Sequence, residues 1–205
     1  MTAWWFAPAA PVTLRRVTDT AALAQVHQAF LVQRGERFAQ MGVDNIFATP
    51  EMVAFFHDLC AAGLGACQPA FLAHALYVGD EIVATSFGAI ANGHYSQYIN
   101  STTVGPASKY SLMGILMAEL MDELTRSGIT GFDMGTGDFA YKSDWTEPQT
   151  VFDSAIAVSQ RGVLVLPMLE NLVRLKRAIK QNPRAWALAQ RAIKLRYRLR
   201  DLLGR

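Results

Sequence analysis

Between Gly131 and Trp145 the chain reads GFDMGTGDFAYKSDW, which crowds Asp133, Asp138, Tyr141, Lys142, Asp144 and Trp145 into one short stretch. These residue types suit proton transfer and charge stabilisation. A tyrosine hydroxyl can protonate a leaving group, a lysine ammonium can hold an anion or steady a developing oxyanion, and a carboxylate can serve as base. An unpaired carboxylate is costly inside a core strand, so Asp133 reads as the end of a strand. Gly135 and Gly137 then turn the chain. A short apolar strand running into a polar, aromatic turn is the pattern of a site at a strand end. Each residue also has a plainer reading. Asp133 and Asp138 can cap the turn, Tyr141 and Trp145 can pack over a sheet, and Lys142 can be solvated.

The elements that must position this stretch are legible from periodicity and punctuation. Residues 12–17 predict a first strand, and Thr18 or Asp19 caps a helix over 20–35 with Leu23, Val26, Phe30 and Leu31 on one face. His27 and Arg34, seven apart, share a helical face and are candidates to point at an acceptor. Thr49-Pro50-Glu51 opens a second helix running to about Ala62, before Gly63 and Gly65. Residues 70–78 and 81–90 predict two strands around Gly79-Asp80, and 94–101 a third after Asn92-Gly93. A helix over 109–127, closed by Gly128, leads into a strand over 129–134. A further strand is predicted over 152–158, and helices from Pro167 to Arg205 with a break at Asn182-Pro183. This order predicts an α+β (mixed α/β) fold around a largely antiparallel sheet.

The 205 residues, about half of them hydrophobic, suffice for one domain with a real core plus a helical appendage. No apolar run approaches the ~20 residues that span a bilayer, and the short apolar start lacks the basic residues of a signal peptide. Cys60 and Cys67 form no CxxC motif, so a reduced cytoplasmic setting without disulfide or zinc is expected. No HExxH spacing or Ser-His-Asp order is present, His57 and His94 stand isolated, and His74 reads as a satisfied core histidine. No metal site is expected.

The stretches YSLMGILMAELMDEL, GFDMGTGD and YKSDW resemble the GNAT acyltransferase fold. More narrowly, they resemble its branch related to CelD-type cellulose-biosynthesis proteins, akin to FemAB aminoacyl transferases. The matching residues are Tyr110-Ser111, Phe132-Asp133, Gly137-Asp138 and Tyr141-Lys142-x-x-Trp145, within a likeness over roughly residues 14–160. The resemblance implies a GNAT-like domain over 1–166 and a co-substrate of acyl-CoA, acetyl-CoA above all. It implies a CoA-binding loop at Lys109, Tyr110, Ser111 and Gly114, catalytic Tyr141, Lys142 and Asp133, and an acceptor side with Arg34, Asp138 and Trp145. The family form Ser-Pro-Gly is here Ser111-Leu112-Met113, which puts bulk where backbone N–H groups would approach phosphate. The implied function is acyl transfer from a thioester to an amine or hydroxyl, plausibly of a sugar or sugar-nucleotide in envelope or exopolysaccharide synthesis. The alternative is a non-catalytic GNAT-like module that binds a ligand or partner at a membrane surface.

Charge is divided along the chain. Residues 1–170 carry a net −8, whereas residues 171–205 carry 11 Lys/Arg against Asp201 alone. Within that basic extension, residues 167–205, Leu188, Ala192, Leu195, Leu199 and Leu202 recur at helical spacing. A basic amphipathic helix on an anionic membrane surface, at the inner face of the membrane, is one reading; a helix pair packed on its own domain is the other. No nucleic-acid fold signature accompanies the charge.

Overall fold

The computed structural model describes residues 10–137, 140–152 and 154–202. Two compact units divide at Pro148 and Gln149. In the first, β1 (Val12–Arg16), α1 (Thr20–Met41) and α2 (Pro50–Gly63) precede a meander of β2 (Phe71–Val78), β3 (Glu81–Ala91) and β4 (His94–Thr102). Helix α3 (Leu112–Arg126) and β5 (Gly131–Asp133) follow. The five strands lie in the order β1-β2-β3-β4-β5. The first three pairings are antiparallel, and β4 and β5 run parallel across the α3 connection. The mixed α/β fold with a largely antiparallel sheet is thus present as expected.

Helices cover both faces of the sheet, and β2 shows why its sequence is apolar at every position but the buried His74. Phe71, Ala73, Ala75 and Tyr77 pack into the cluster with Phe30 of α1 and Phe56 of α2. Leu72 and Leu76 point the other way, into clusters with Leu116, Leu120 and Leu124 of α3. Strand alternation sends successive side chains to opposite layers, so a strand covered on both faces reads as a continuous apolar run. One buried polar chain ties α1 to the sheet. The Ser101 hydroxyl donates to Gln33 Oε1 at 2.6 Å, and Gln33 Nε2 donates to the Ile82 carbonyl at 2.9 Å.

Several boundaries move for local reasons. Asp19 caps α1 by accepting from the Ala22 N–H at 2.8 Å. The helix runs through Gly35 and ends at Gly42, whose φ of 64° is the left-handed cap that a side chain resists. Residues 106–109 form a separate 3-10 turn, so α3 begins at Leu112 rather than Lys109. The described residues of the predicted strand 152–158 form no strand, and Phe152, Ile156 and Val158 are exposed. Alternation makes a strand only where a partner edge accepts its backbone bonds. In the second unit, α4 (Gln160–Gln181) starts seven residues before the expected Pro167, because Ser159 accepts from the Gly162 N–H at 3.1 Å and caps it there. Helix α5 (Pro183–Leu202) follows Asn182.

The α1–α2 contact brings together two histidines that stand apart in the sequence. His27 is buried beside Phe30, 5.8 Å from the His57 ring, and its Nε2 has no hydrogen-bond partner. Burial, and secondarily His57, hold its pKa below 6.5. The unfolded chain therefore takes up a proton first as pH falls, and stability drops as pH falls through 6.5, levelling off below the folded-state value. Urea denaturation at about pH 7.5 and about pH 5.5 should show this loss, and His27→Gln should flatten it. An equal pH dependence in His27→Gln would assign the effect elsewhere.

Candidate active site

Three local features follow from the parting of β4 and β5 and the elements next to it. The first is the separation of β4 from β5. The two pair only from His94↔Gly131 to Ser96↔Asp133, and β4 continues to Thr102 after β5 has ended. Where they part, the register of β3 and β4 passes from Gly88↔Gln97 to Phe87↔Ile99, which leaves Tyr98 as the extra residue of a β-bulge. Gly88 opposite it is required by close approach. A Cβ there would overlap the Tyr95 ring and lie 2.7 Å from the Ser96 carbonyl oxygen.

The second feature is the start of α3. The Leu112 and Ile115 N–H groups are used by the Tyr110 and Ser111 carbonyls, at 2.7 and 2.9 Å. Ser111 stands at the N-cap without a side-chain cap bond. The Met113 and Gly114 N–H groups, in the first turn, have no intrahelical acceptor by helix geometry. Together with the helix dipole they suit an anion. Gly114 also lets Ser111 fold over the turn, since a Cβ on it would sit 2.8 Å from Ser111 Oγ.

The third feature is the loop after β5. Asp133 accepts from the Gly135 N–H at 2.7 Å and from Ser96 Oγ at 3.3 Å, tying the turn to β4. Gly135, with φ of 74°, permits that turn. Lys142 Nζ donates to the Gly135 and Thr136 carbonyls at 2.9 and 3.1 Å, closing the loop from its far end. The Trp145 and Thr146 N–H groups both donate to the Lys142 carbonyl, so residues 141–146 coil as a single turn. Spacing of three and four residues then puts Tyr141, Asp144 and Trp145 on one side.

The start of α3 and this coil enclose a cavity of about 440 Å³, lined by Ser111, Met113, Gly114, Met117, Tyr141, Asp144 and Trp145. It therefore joins Ser111 and Gly114, expected on the donor side, to Tyr141 and Trp145, expected beyond β5. Lys109 and Tyr110 lie just upstream and are exposed, with the ammonium 5.0 Å from the tyrosine ring. Asp133 and Lys142 brace the loop that carries Tyr141. Arg34 packs elsewhere, its guanidinium 4.7 Å from the Phe47 ring and 5.3 Å from the Phe38 ring. Its Nε is buried without a hydrogen bond, and burial lowers its pKa. Asp138 lies outside the described residues.

Sequence reading placed Asp144 in the polar stretch without a role of its own, and it named neither Met117 nor the bulge residue Tyr98. The Y-x-x-D-W spacing and the i, i+4 pair Met113–Met117 carried a signal for the first two. The bulge that sets Tyr98 is created by pairing with β3 and has no signature within β4. Another cavity, about 550 Å³ at the elbow of α4 and α5, is lined by Ala178, Gln181, Asn182, Pro183 and Arg184 and brings together no acid–base pair. Among the described residues no cluster of three or more His, Cys, Asp or Glu could hold a metal ion. Cys60 is buried, and that burial pushes its thiol up to about 12, so it supplies no thiolate near neutral pH.

A five-stranded mixed sheet with β4 and β5 parting beside a helix start defines a class of transferase fold. The chain matches the model of the acetyltransferase (GNAT) domain family over residues 5–143 and belongs to that family. No curated protein matches it in sequence. Similar solved structures include an aminoglycoside acetyltransferase from an uncultured soil metagenomic sample in complex with sisomicin, at 14% identity, covering 71% of this chain and 95% of that one, with a TM-score of 0.49. A predicted acetyltransferase with acetyl-CoA from Clostridium acetobutylicum has 12% identity, covering 72% and 97%, with a TM-score of 0.48. Glucosamine-6-phosphate N-acetyltransferase from Arabidopsis thaliana has 12% identity, covering 71% and 98%, with a TM-score of 0.46. The family assignment, and with it acetyl transfer as the class of activity, rests on the sequence match over residues 5–143.

Proposed function

We propose that this protein moves an acyl group from acyl-CoA, with acetyl-CoA the first candidate, to an amine or hydroxyl of a sugar or sugar-nucleotide. Its reaction serves envelope or exopolysaccharide synthesis, as in the CelD-like branch that its motifs resemble. The observation that carries this reading is the single cavity shared by the α3 start and the Tyr141–Trp145 coil. The Met113 and Gly114 N–H groups suit the CoA phosphates, and the cavity beside them suits the thioester end.

The acceptor attacks the thioester carbonyl directly, its lone pair forming the new bond to carbon. As the tetrahedral intermediate collapses, the C–S bond breaks and the departing thiolate takes a proton from the Tyr141 hydroxyl, while the acceptor sheds its own proton to water and the half-exposed Tyr141 regains one from solvent. Asp133 and Lys142 act by holding the loop that aims Tyr141, and Lys142 keeps a positive charge beside the cavity as oxyanion character develops. Trp145, which lines the cavity, offers an aromatic face for the apolar side of a sugar ring. We place the enzyme at the inner face of a membrane, supported by the exposed apolar and basic helices of the second unit.

Titration with acetyl-CoA and longer acyl-CoAs tests the donor. At about 100 times Kd, binding should add roughly 2.7 kcal/mol to stability, a rise in Tm of several degrees. If neither thermal shift nor calorimetry responds to any acyl-CoA, the donor assignment fails.

A further inference from the structure

The second unit has a feature that acyl transfer does not use. Helix α4 buries none of its residues. Leu164, Met168, Leu172 and Leu175 recur along one side, with Val165 and Leu169 beside them, and all six are exposed. Between Gln160 and Val173 only Arg161 and Glu170 are charged. Charge is concentrated further on: residues 174–205 hold 11 Lys/Arg against Asp201. On α5 the exposed Leu188, Leu195 and Leu199 form a stripe with Arg191 and Arg196 to either side of it. The unit thus combines an apolar segment with a strongly basic one, and Trp186 stands near the elbow between the helices.

We propose that the apolar first half of α4, residues 162–173, inserts into the interfacial layer of an anionic bilayer. The basic residues from Arg174 onward rest on the lipid headgroups. This deepens the membrane placement given above and rests on it. Charge complementarity selects this occupant. A second copy paired through these same helices would bring one net +10 segment against another, whereas anionic lipids offset that charge. Nucleic acid would match the charge but not the leucine rows. The depth is interfacial, since no helix among the described residues is long and apolar enough to cross a membrane. Pro167, inside α4, has no N–H to give the Val163 carbonyl, which therefore needs water or a headgroup donor rather than hydrocarbon.

Flotation of the full chain with phosphatidylcholine vesicles, with and without about one third phosphatidylglycerol, tests this. Wild type should float more strongly with the anionic vesicles than with the neutral ones, and the Trp186 emission should shift to shorter wavelength. Leu164→Asp/Leu169→Asp should lower partitioning at least about tenfold at both low and high salt. Arg191→Glu/Arg196→Glu should lower it mainly at low salt. Circular dichroism and acyl-CoA titration serve as folding controls. Flotation of the leucine double variant equal to wild type would overturn the α4 wedge while leaving membrane placement standing. Failure of wild type to float would remove both, without touching the acyl-CoA assignment. A wild-type dimer in light scattering that this variant converts to monomer, with no vesicle binding, would make a second copy the occupant and overturn the proposal.

Discussion

Tyr141→Phe is expected to lower kcat about 10²-fold while leaving KM for acyl-CoA within about twofold. The substitution removes one oxygen and keeps the ring that lines the cavity beside Met113 and Trp145. Binding should therefore persist while proton delivery to the departing thiolate is lost. The low end of the range for general-acid catalysis applies because Tyr141 is 49% exposed, so water can supply part of the missing proton transfer. Activity should recover partly with acyl donors whose leaving thiol is more acidic, because such thiolates depart without protonation. An unchanged kcat, or a kcat loss that is the same for every leaving group, would remove Tyr141 from the role of acid. A rise in KM alone would make it a binding residue.

The largest effect on stability is expected at Phe30. Its fully buried ring meets the rings of Phe87, Phe56 and Phe47 at 5.0, 5.6 and 5.9 Å, and so joins α1, α2 and β3. Phe30→Ala removes a side chain whose neighbours belong to three separately anchored elements, so the space cannot close by a small shift. A loss of about 3–5 kcal/mol follows, lowering Tm by roughly 10 °C. Thermal denaturation followed by circular dichroism measures it. A drop of only a degree or two would mean that α1 is not held by this aromatic cluster. Because α1 packs on the sheet face opposite α3, acyl-CoA affinity at temperatures where the variant remains folded should change little.

Much of the first unit was legible because its signals are local. The Asp19 and Thr49 caps, the Gly79-Asp80 and Asn92-Gly93 turns, and the strand runs each depend on neighbours within a few residues. The termini of α1 and α3 were less legible. The first helix is expected from its sequence to end at Gly35 but runs on to Gly42, which adopts the left-handed conformation, and residues 106–109 separate as a 3-10 turn only in the folded chain. The residues 152–158 show the limit of alternation, since a strand also requires an edge to pair with.

At the site the division is similar. Sequence by itself marked Tyr141 and Trp145, because a turn of glycines followed by a tyrosine and a tryptophan after a strand is a property of residue type and spacing, and the family resemblance marked Ser111 and Gly114. Sequence also marked the apolar and basic character of the C-terminal helices. Only the tertiary structure decided that these four residues line one cavity, together with Met117 and Asp144. It alone placed Arg34 against Phe38 and Phe47, turned Asp133 and Lys142 onto the backbone of their own loop, and produced the bulge at Tyr98. The physical reason is range. Caps, turns and amphipathic faces follow from contacts a few residues apart, whereas a cavity and a strand register exist only once segments far apart in sequence are held against each other by the core.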